Sequence, residues 1–339
     1  MSHENRTARP ASPAPTTRGE RLAARLAGGA SPLVLDGATG TELERAGLST
    51  GLPLWSTHAL LEAPECVFQI HASYLAAGAE IVTANTFRTQ ERTLARGGLA
   101  GADARLTRLA VDLARRAVAA ATTSMPTTPS TLRAFPFGGD PPVKDHWVAG
   151  SLPPLEDCYR PDLVPDDRWL ATEHERQADL LGEGGVDLIL IETMNTIREA
   201  QAAARAAART GLPFVVSFVA WDAGKLLSGE SLEAAARAVL DLGAAVVGVN
   251  CLPMANMDAC RRALSNLAAP LLVSPNLGGP EPRTGFARDE SNDPARFPEA
   301  FTGWLEGSAA IVGGCCGTTP AHIAALAARV HGAPGERHR

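Results

Sequence analysis

Eight short aliphatic runs recur along the sequence: PLVLD (32–36), AEIVTAN (79–85), HWVAG (146–150), VDLILIE (186–192), PFVVSFV (213–219), AAVVGVN (244–250), PLLVSPN (270–276) and AAIVGG (309–314). Continuously apolar runs of this length suit strands of a parallel sheet covered on both faces. The segments between them read as helices. From Pro64 to Ala77, the residues Val67, Ile70, Tyr74 and Leu75 recur at spacings of three and four, and Gly78 can close the helix. Thr196 and Glu199 give a capping-box signature before an Ala-rich stretch that stops at Gly211. Thr319 followed by Pro320 is an N-cap with proline at N1. Eight strands with seven or eight intervening helices predict an α/β chain, a (β/α)8 TIM barrel forming a single domain. The rival is a doubly wound open sheet. It would bring a Gly-x-Gly-x-x-Gly turn after a strand, and the glycine clusters GGCCG and NLGGP lack that spacing.

Residues 1–18, rich in Pro, Ser, Thr and Arg, read as a disordered tail. The barrel is expected over 19–331, with a long loop at 122–146 and a polar tail at 332–339. The net charge is −6 and no basic patch stands out, which argues against nucleic acid as a partner. No apolar run reaches the roughly 18 residues of a membrane helix. The N-terminal segment lacks the apolar centre of a secretory signal. The expected setting is the cytoplasm, and the expected partners are small molecules. Six cysteines in 339 residues do not form a disulfide scaffold, which leaves metal binding or redox chemistry for clustered thiols.

The unusual residues sit where the runs end. Asp36-Gly37 follows the first run, Asn85-Thr86-Phe87 the second, Glu192-Thr193 the fourth, Asn250-Cys251 the sixth and Cys315-Cys316 the eighth. In a barrel these ends converge on the rim that carries the chemistry. Three thiolates from two strand ends could supply three corners of a Zn2+ tetrahedron and leave the fourth open. Gly313, Gly314 and Gly317 permit the turn this needs, and the helix starting near Pro320 directs its positive end at the loop. The other reading makes Cys251 a core residue and Cys315-Cys316 a redox pair. A three-thiolate zinc is too electron-rich to activate water well. It suits holding a substrate thiol as a nucleophilic thiolate, with no general base required. Glu192, ending a buried strand, needs a partner, and a substrate ammonium is a natural one. Asp36 is either a second such carboxylate or a turn residue bonded to the backbone at Gly37 and Thr39. Asn85 and Asn250 are either ligand contacts or backbone braces.

The chain resembles the homocysteine S-methyltransferase family. The likeness rests on LDGATGTELERAG (35–47), LWS (54–56), GAEIVTANTF (78–87), VAGSLPP (148–154), GVDLILIETM (185–194), GVNC (248–251), PN (275–276) and GGCCGTTPAHI (313–323). It implies a zinc-containing TIM barrel that moves a methyl group to homocysteine and yields methionine. It also implies that Cys251, Cys315 and Cys316 ligate zinc, and that Glu192 and the Asp36-Gly37 turn hold the amino-acid end of homocysteine. Asn85, Thr86, Phe87 and Asn250 complete the expected substrate-binding set. The segment after VAGS departs from the family pattern. A betaine enzyme would enclose its quaternary ammonium with aromatic rings, whereas this chain is 5% aromatic and has Arg88 after Phe87. A sulfonium donor, S-methylmethionine or S-adenosylmethionine, is therefore expected, with Trp55, Phe87 and Tyr159 as candidate donor-side residues. Alternatives are betaine as donor, a different thiol or selenol acceptor, or a non-catalytic barrel that binds zinc and an amino acid. Beyond residue 330 there is no room for folate or cobalamin modules, so a whole methionine synthase is not expected.

Overall fold

The computed structural model of the chain describes residues 17–28, 31–123, 145–221, 224–279, 287–288 and 293–332. The expected tails and the 122–146 loop lie outside these residues except at their margins. At the first margin the tail expected to reach residue 18 is shorter. Helix α1 (Arg18–Leu26) begins there, capped by Thr17, whose Oγ1 accepts from the Glu20 N–H.

Each aliphatic run contains a strand: β1 (Leu33–Val34), β2 (Ile81–Ala84), β3 (Trp147–Leu152), β4 (Leu188–Met194), β5 (Phe214–Phe218), β6 (Val246–Pro253), β7 (Leu271–Asn276) and β8 (Ala309–Val312). All pair in parallel, and each lies beside its sequence neighbour. A parallel bridge between Leu35 and Ile81 joins the first strand to the second and completes the ring. A doubly wound sheet would reverse its strand order partway, and this sheet does not. Among the described residues, no helix is long and apolar enough to cross a membrane.

Strand residues alternate between two environments with period two. One set, including Val82, Val148, Ile189, Val216, Val247 and Val273, packs outward in the largest apolar cluster. That cluster takes in residues of the helices α2 (Pro64–Ala76), α3 (Asp103–Thr123), α4 (Asp167–Gly184), α5 (Ile197–Arg209), α6 (Leu232–Leu240), α7 (Met257–Leu264) and α8 (Pro320–His331). The other set, including Leu33, Ile81, Trp147, Leu188 and Val215, fills the barrel interior together with Leu22 and Leu26 of α1. These are early strand residues, so α1 closes the amino-terminal end of the barrel. Further along the same inward phase the chain turns polar, at Thr83, Ser151, Glu192, Ser217, Asn250 and Ser274. The apolar floor thus gives way to a polar chamber at the carboxyl end.

Two local expectations resolve differently from each other. Helix α2 buries Val67, Ile70, Tyr74 and Leu75 as its spacing predicts. At α5, Thr196 Oγ1 accepts from the Glu199 N–H as a cap should. Glu199 does not close the box, because its carboxylate is fully buried and accepts from the Leu155 N–H at 2.8 Å beside His174 at 3.3 Å. A buried acceptor with tertiary donors in reach gives up its local partner.

Gly248 marks the closest approach of two strands. A Cβ built there would sit 1.9 Å from the Leu272 carbonyl oxygen, a backbone atom that cannot swing aside. Overpacking that side chains can relax costs about 1–3 kcal/mol, so Gly248→Ala is expected to cost about 3 kcal/mol or more in urea unfolding. A loss below about 1 kcal/mol would contradict this packing.

Candidate active site

Two strands slip out of register at the carboxyl rim, β4 between Ile191 and Met194 and β6 between Asn250 and Pro253. Bulges of this kind re-aim side chains. Within them Thr193 adopts φ 60° and Cys251 φ 51°, left-handed conformations that are uncommon for residues other than glycine. Trp55, at φ 47°, is the third such residue among those described. All three line one cleft of about 1010 Å³. Strain concentrated in this way is a mark of functional sites.

The bulge in β6 turns Cys251 toward the loop after β8. The sulfurs of Cys251, Cys315 and Cys316 lie within 4.8 Å of one another. Three thiolates about 2.3 Å from one tetrahedral ion have S···S edges of about 3.8 Å, so this set fits a single metal ion. The loop is held from several sides. The Cys315 N–H donates to the Pro275 carbonyl at 2.9 Å, and the Cys316 N–H to Asn276 Oδ1 at 3.1 Å. The first strand's turn grips it as well. The Gly314 N–H donates to the Asp36 carbonyl, the Ala38 N–H to Thr318 Oγ1, and the Gly317 N–H to Thr41 Oγ1. Gly317 needs its freedom, since it sits at φ 87° with Leu277 close behind. Hydrogen bonds from Cys251 and Cys315 hold the Cys316 thiol well below its ordinary pKa, while the bonds of Cys251 with Cys315 and Cys316 push Cys251 up. Cys316 is therefore the first thiolate of the trio.

Two shielded carboxylates share the cleft. Asp36 takes Thr83 as its partner, its two oxygens accepting from the Thr83 N–H at 2.7 Å and Oγ1 at 2.9 Å. It does not bond the Gly37–Thr39 backbone as a turn residue would. Glu192 accepts from Ser151 Oγ at 2.5 Å and Asn250 Nδ2 at 3.2 Å. Burial raises both pKa values to about 8. Asn250 is the brace of this corner. Its Oδ1 accepts from the strained Thr193 N–H at 2.8 Å and from Ser217 Oγ at 2.9 Å, and its Nδ2 donates to Thr193 Oγ1 at 2.8 Å.

One wall is aromatic. Trp55 meets Phe87 edge to face at 5.6 Å, and Tyr159 tilts against Trp221 at 4.9 Å. Trp221 Nε1 donates to the Cys251 carbonyl, which ties this pair to the thiol corner. The Arg88 guanidinium lies 5.5 Å from the Phe87 ring centroid. Cys158, also on this wall, is buried; burial pushes its thiol up to about 12 against the opposing charge of Arg88.

Of the residues expected at the rim, Asp36, Gly37, Asn85, Phe87, Glu192 and Asn250 line the cleft along with the three cysteines. Thr86 does not, because its hydroxyl is buried and donates to the Ser151 carbonyl at 2.9 Å. Asn85 is bonded twice to Ser56 and acts as a brace. Sequence reasoning missed Thr83, Ser151, Ser217 and Trp221. The first three stand out only once the strands are read with period two, as hydroxyls on the inward phase. Trp221 carried no signal beyond following the fifth run.

Soft sulfur donors gathered at the carboxyl rim of a closed ring define the class, an enzyme of the (β/α)8 fold whose chemistry centres on thiols. Comparison with known proteins narrows it. The homocysteine S-methyltransferase family model matches residues 33–330. Homocysteine S-methyltransferase YbgG of Bacillus subtilis is 31% identical over 309 residues, covering 87% of this chain and 93% of that protein. Homocysteine S-methyltransferase of Escherichia coli is 31% identical over 304 residues, covering 88% and 94%. The metallated form of the E. coli homocysteine methyltransferase MmuM superposes with a TM-score of 0.75 at 29% identity, covering 89% of this chain and 97% of that one. The chain belongs to the homocysteine S-methyltransferase family and is a methyltransferase.

The raised carboxylates carry a pH signature. Burial stabilises protonated Asp36, so its contribution to stability is complete below the unfolded value of about 4 and is lost as pH rises to about 8. Unfolding of the ligand-free protein is expected to become easier across that window, and Asp36→Asn to flatten the decline. Identical slopes for the two proteins would show that Asp36 ionises freely in the fold.

Proposed function

We propose that the protein moves a methyl group from a sulfonium donor, S-methylmethionine or S-adenosylmethionine, to the thiolate of homocysteine, giving methionine, with Zn2+ held by Cys251, Cys315 and Cys316. The observation that carries this reading is the meeting of three thiols within 4.8 Å in a cleft that also holds two shielded carboxylates. When bound, zinc with three thiolate ligands supplies a fourth position at which a substrate thiol loses its proton yet stays nucleophilic.

The chain's own residues do the rest. Glu192, aimed by Ser151 and Asn250, takes the homocysteine ammonium, and Asp36 beside it adds a second acceptor. An arriving ammonium offsets the burial that keeps both carboxyls protonated, so binding draws them into the ionised form. Gly37 keeps the turn below the amino acid thin, since a Cβ there would lie 2.6 Å from Thr318 Oγ1. Asn85 and Thr86 hold the wall, and Phe87 with Trp55 and Tyr159 with Trp221 present ring surfaces to a sulfonium cation. Fixing donor and acceptor in line supplies much of the rate.

Cys316→Ser is expected to abolish both zinc retention, read by metal analysis, and turnover, while circular dichroism stays unchanged. Full activity in a zinc-free variant would overturn the assignment. Glu192→Gln should raise the homocysteine KM roughly 10- to 100-fold, the worth of a charged hydrogen bond, with zinc content intact. An activity screen pairing homocysteine and a selenol with S-methylmethionine, S-adenosylmethionine and betaine fixes donor and acceptor. Preference for betaine or for the selenol would displace this reading.

A further inference from the structure

We propose that Arg88 anchors the carboxylate of the methyl donor, so that the enzyme reads its donor as an amino acid bearing a methyl-onium group and not as an onium alone. The inference rests on the methyl transfer proposed above and adds the donor's second point of attachment.

It begins with unbalanced charge. The cleft is lined by the acids Asp36, Glu44, Asp157 and Glu192 and by two cations, Arg88 and Arg160. Arg160 is occupied, its guanidinium paired to both oxygens of Asp162 at 2.8 and 2.6 Å. Arg88 makes no hydrogen bond or ion pair among the described residues, and its Nε is buried without a partner. A guanidinium carries five donors in a fixed fork, and leaving a buried donor unmet is costly. The fork matches a carboxylate in both geometry and charge.

Position assigns that carboxylate to the donor. Asp36 and Glu192 meet inward-facing residues of the strands, Thr83 and Ser151, at the chamber's floor. Arg88 comes after the strand has ended, past Asn85 and its bonds to Ser56. There it rests on Phe87, which in turn packs on Trp55. The cation therefore belongs to the aromatic wall, where the onium is received, and not to the acidic floor that takes the acceptor's ammonium. Rings and guanidinium together fit a molecule with a soft cation at one end and a carboxylate at the other. An onium lacking the carboxylate would meet the repulsion of Arg88 with nothing to offset it.

The test uses the zinc-loaded enzyme with homocysteine as acceptor and two donors, S-methylmethionine and its neutral carboxamide. Wild-type kcat/KM is expected to favour the acid by about 10- to 100-fold, the range of a charged hydrogen bond. Arg88→Ala should bring the acid down to the level of the amide, and Arg88→Lys, keeping charge without the fork, should fall between. The homocysteine KM should move less than about twofold. Equal use of acid and amide by the wild type, or an Arg88→Ala effect confined to the homocysteine KM, would overturn the proposal. Calorimetric binding of both donors to wild type and Arg88→Ala separates the two layers of argument. Arg88-dependent preference for the acid without methyl transfer would sink the proposed reaction and leave the anchor standing. Transfer indifferent to Arg88 would do the reverse.

Discussion

Everything at the carboxyl rim answers to one electrostatic constraint: many acidic groups are buried around one chamber. The thiols of Cys251, Cys315 and Cys316 and the carboxyls of Asp36 and Glu192 line a single cleft, and their charged forms oppose one another. Without cations, burial above all keeps protons on Asp36 and Glu192 and pushes both carboxyls up to about 8. Cys316 escapes because its two neighbours donate to its sulfur. The chamber is thus a set of anions held in reserve. Positive charge brought into the cleft would favour the ionised forms, so binding and ionisation are coupled.

The barrel meets this constraint by separating what it buries along each strand. Early inward residues are apolar and later ones carry hydroxyls, amides or a carboxylate. The transition is completed by irregularity. Regular strands would point Thr193 and Cys251 elsewhere. The slips in β4 and β6 force both into left-handed backbone. Asn250 holds that strain in place, since one amide binds the Thr193 backbone, the Thr193 hydroxyl and Glu192. The Glu192 carboxyl and the Cys251 thiol are therefore set by adjacent residues of one strand.

Much of this was legible in the sequence, and the reasons for the rest are physical. Strands buried on both faces advertise themselves as aliphatic runs, so all eight could be located, and the chemical residues stood at their ends. Side-chain partners were less legible. A turn role stays open for Asp36 in the sequence because its own backbone is the nearest donor along the chain, yet Thr83, 47 residues away, is its partner in space. Glu199 leaves its capping box for the same reason, drawn to Leu155 and His174. Thr86 follows a rim residue but turns outward to Ser151, a distinction that depends on register and not on residue type. Strain at Cys251 and the pairing of Tyr159 with Trp221 arise from bulges and loops, which leave no periodic trace.

The grip of the first strand's turn on the loop after the last strand has a consequence for how the molecule comes into being. Cys315 and Cys316 emerge from the ribosome nearly 280 residues after Asp36, whose carbonyl accepts from Gly314. Until that contact forms, Cys251 faces an open seam with no fellow thiols. Half-made or truncated chains therefore cannot assemble the sulfur trio, whose meeting marks the docking of the final stave.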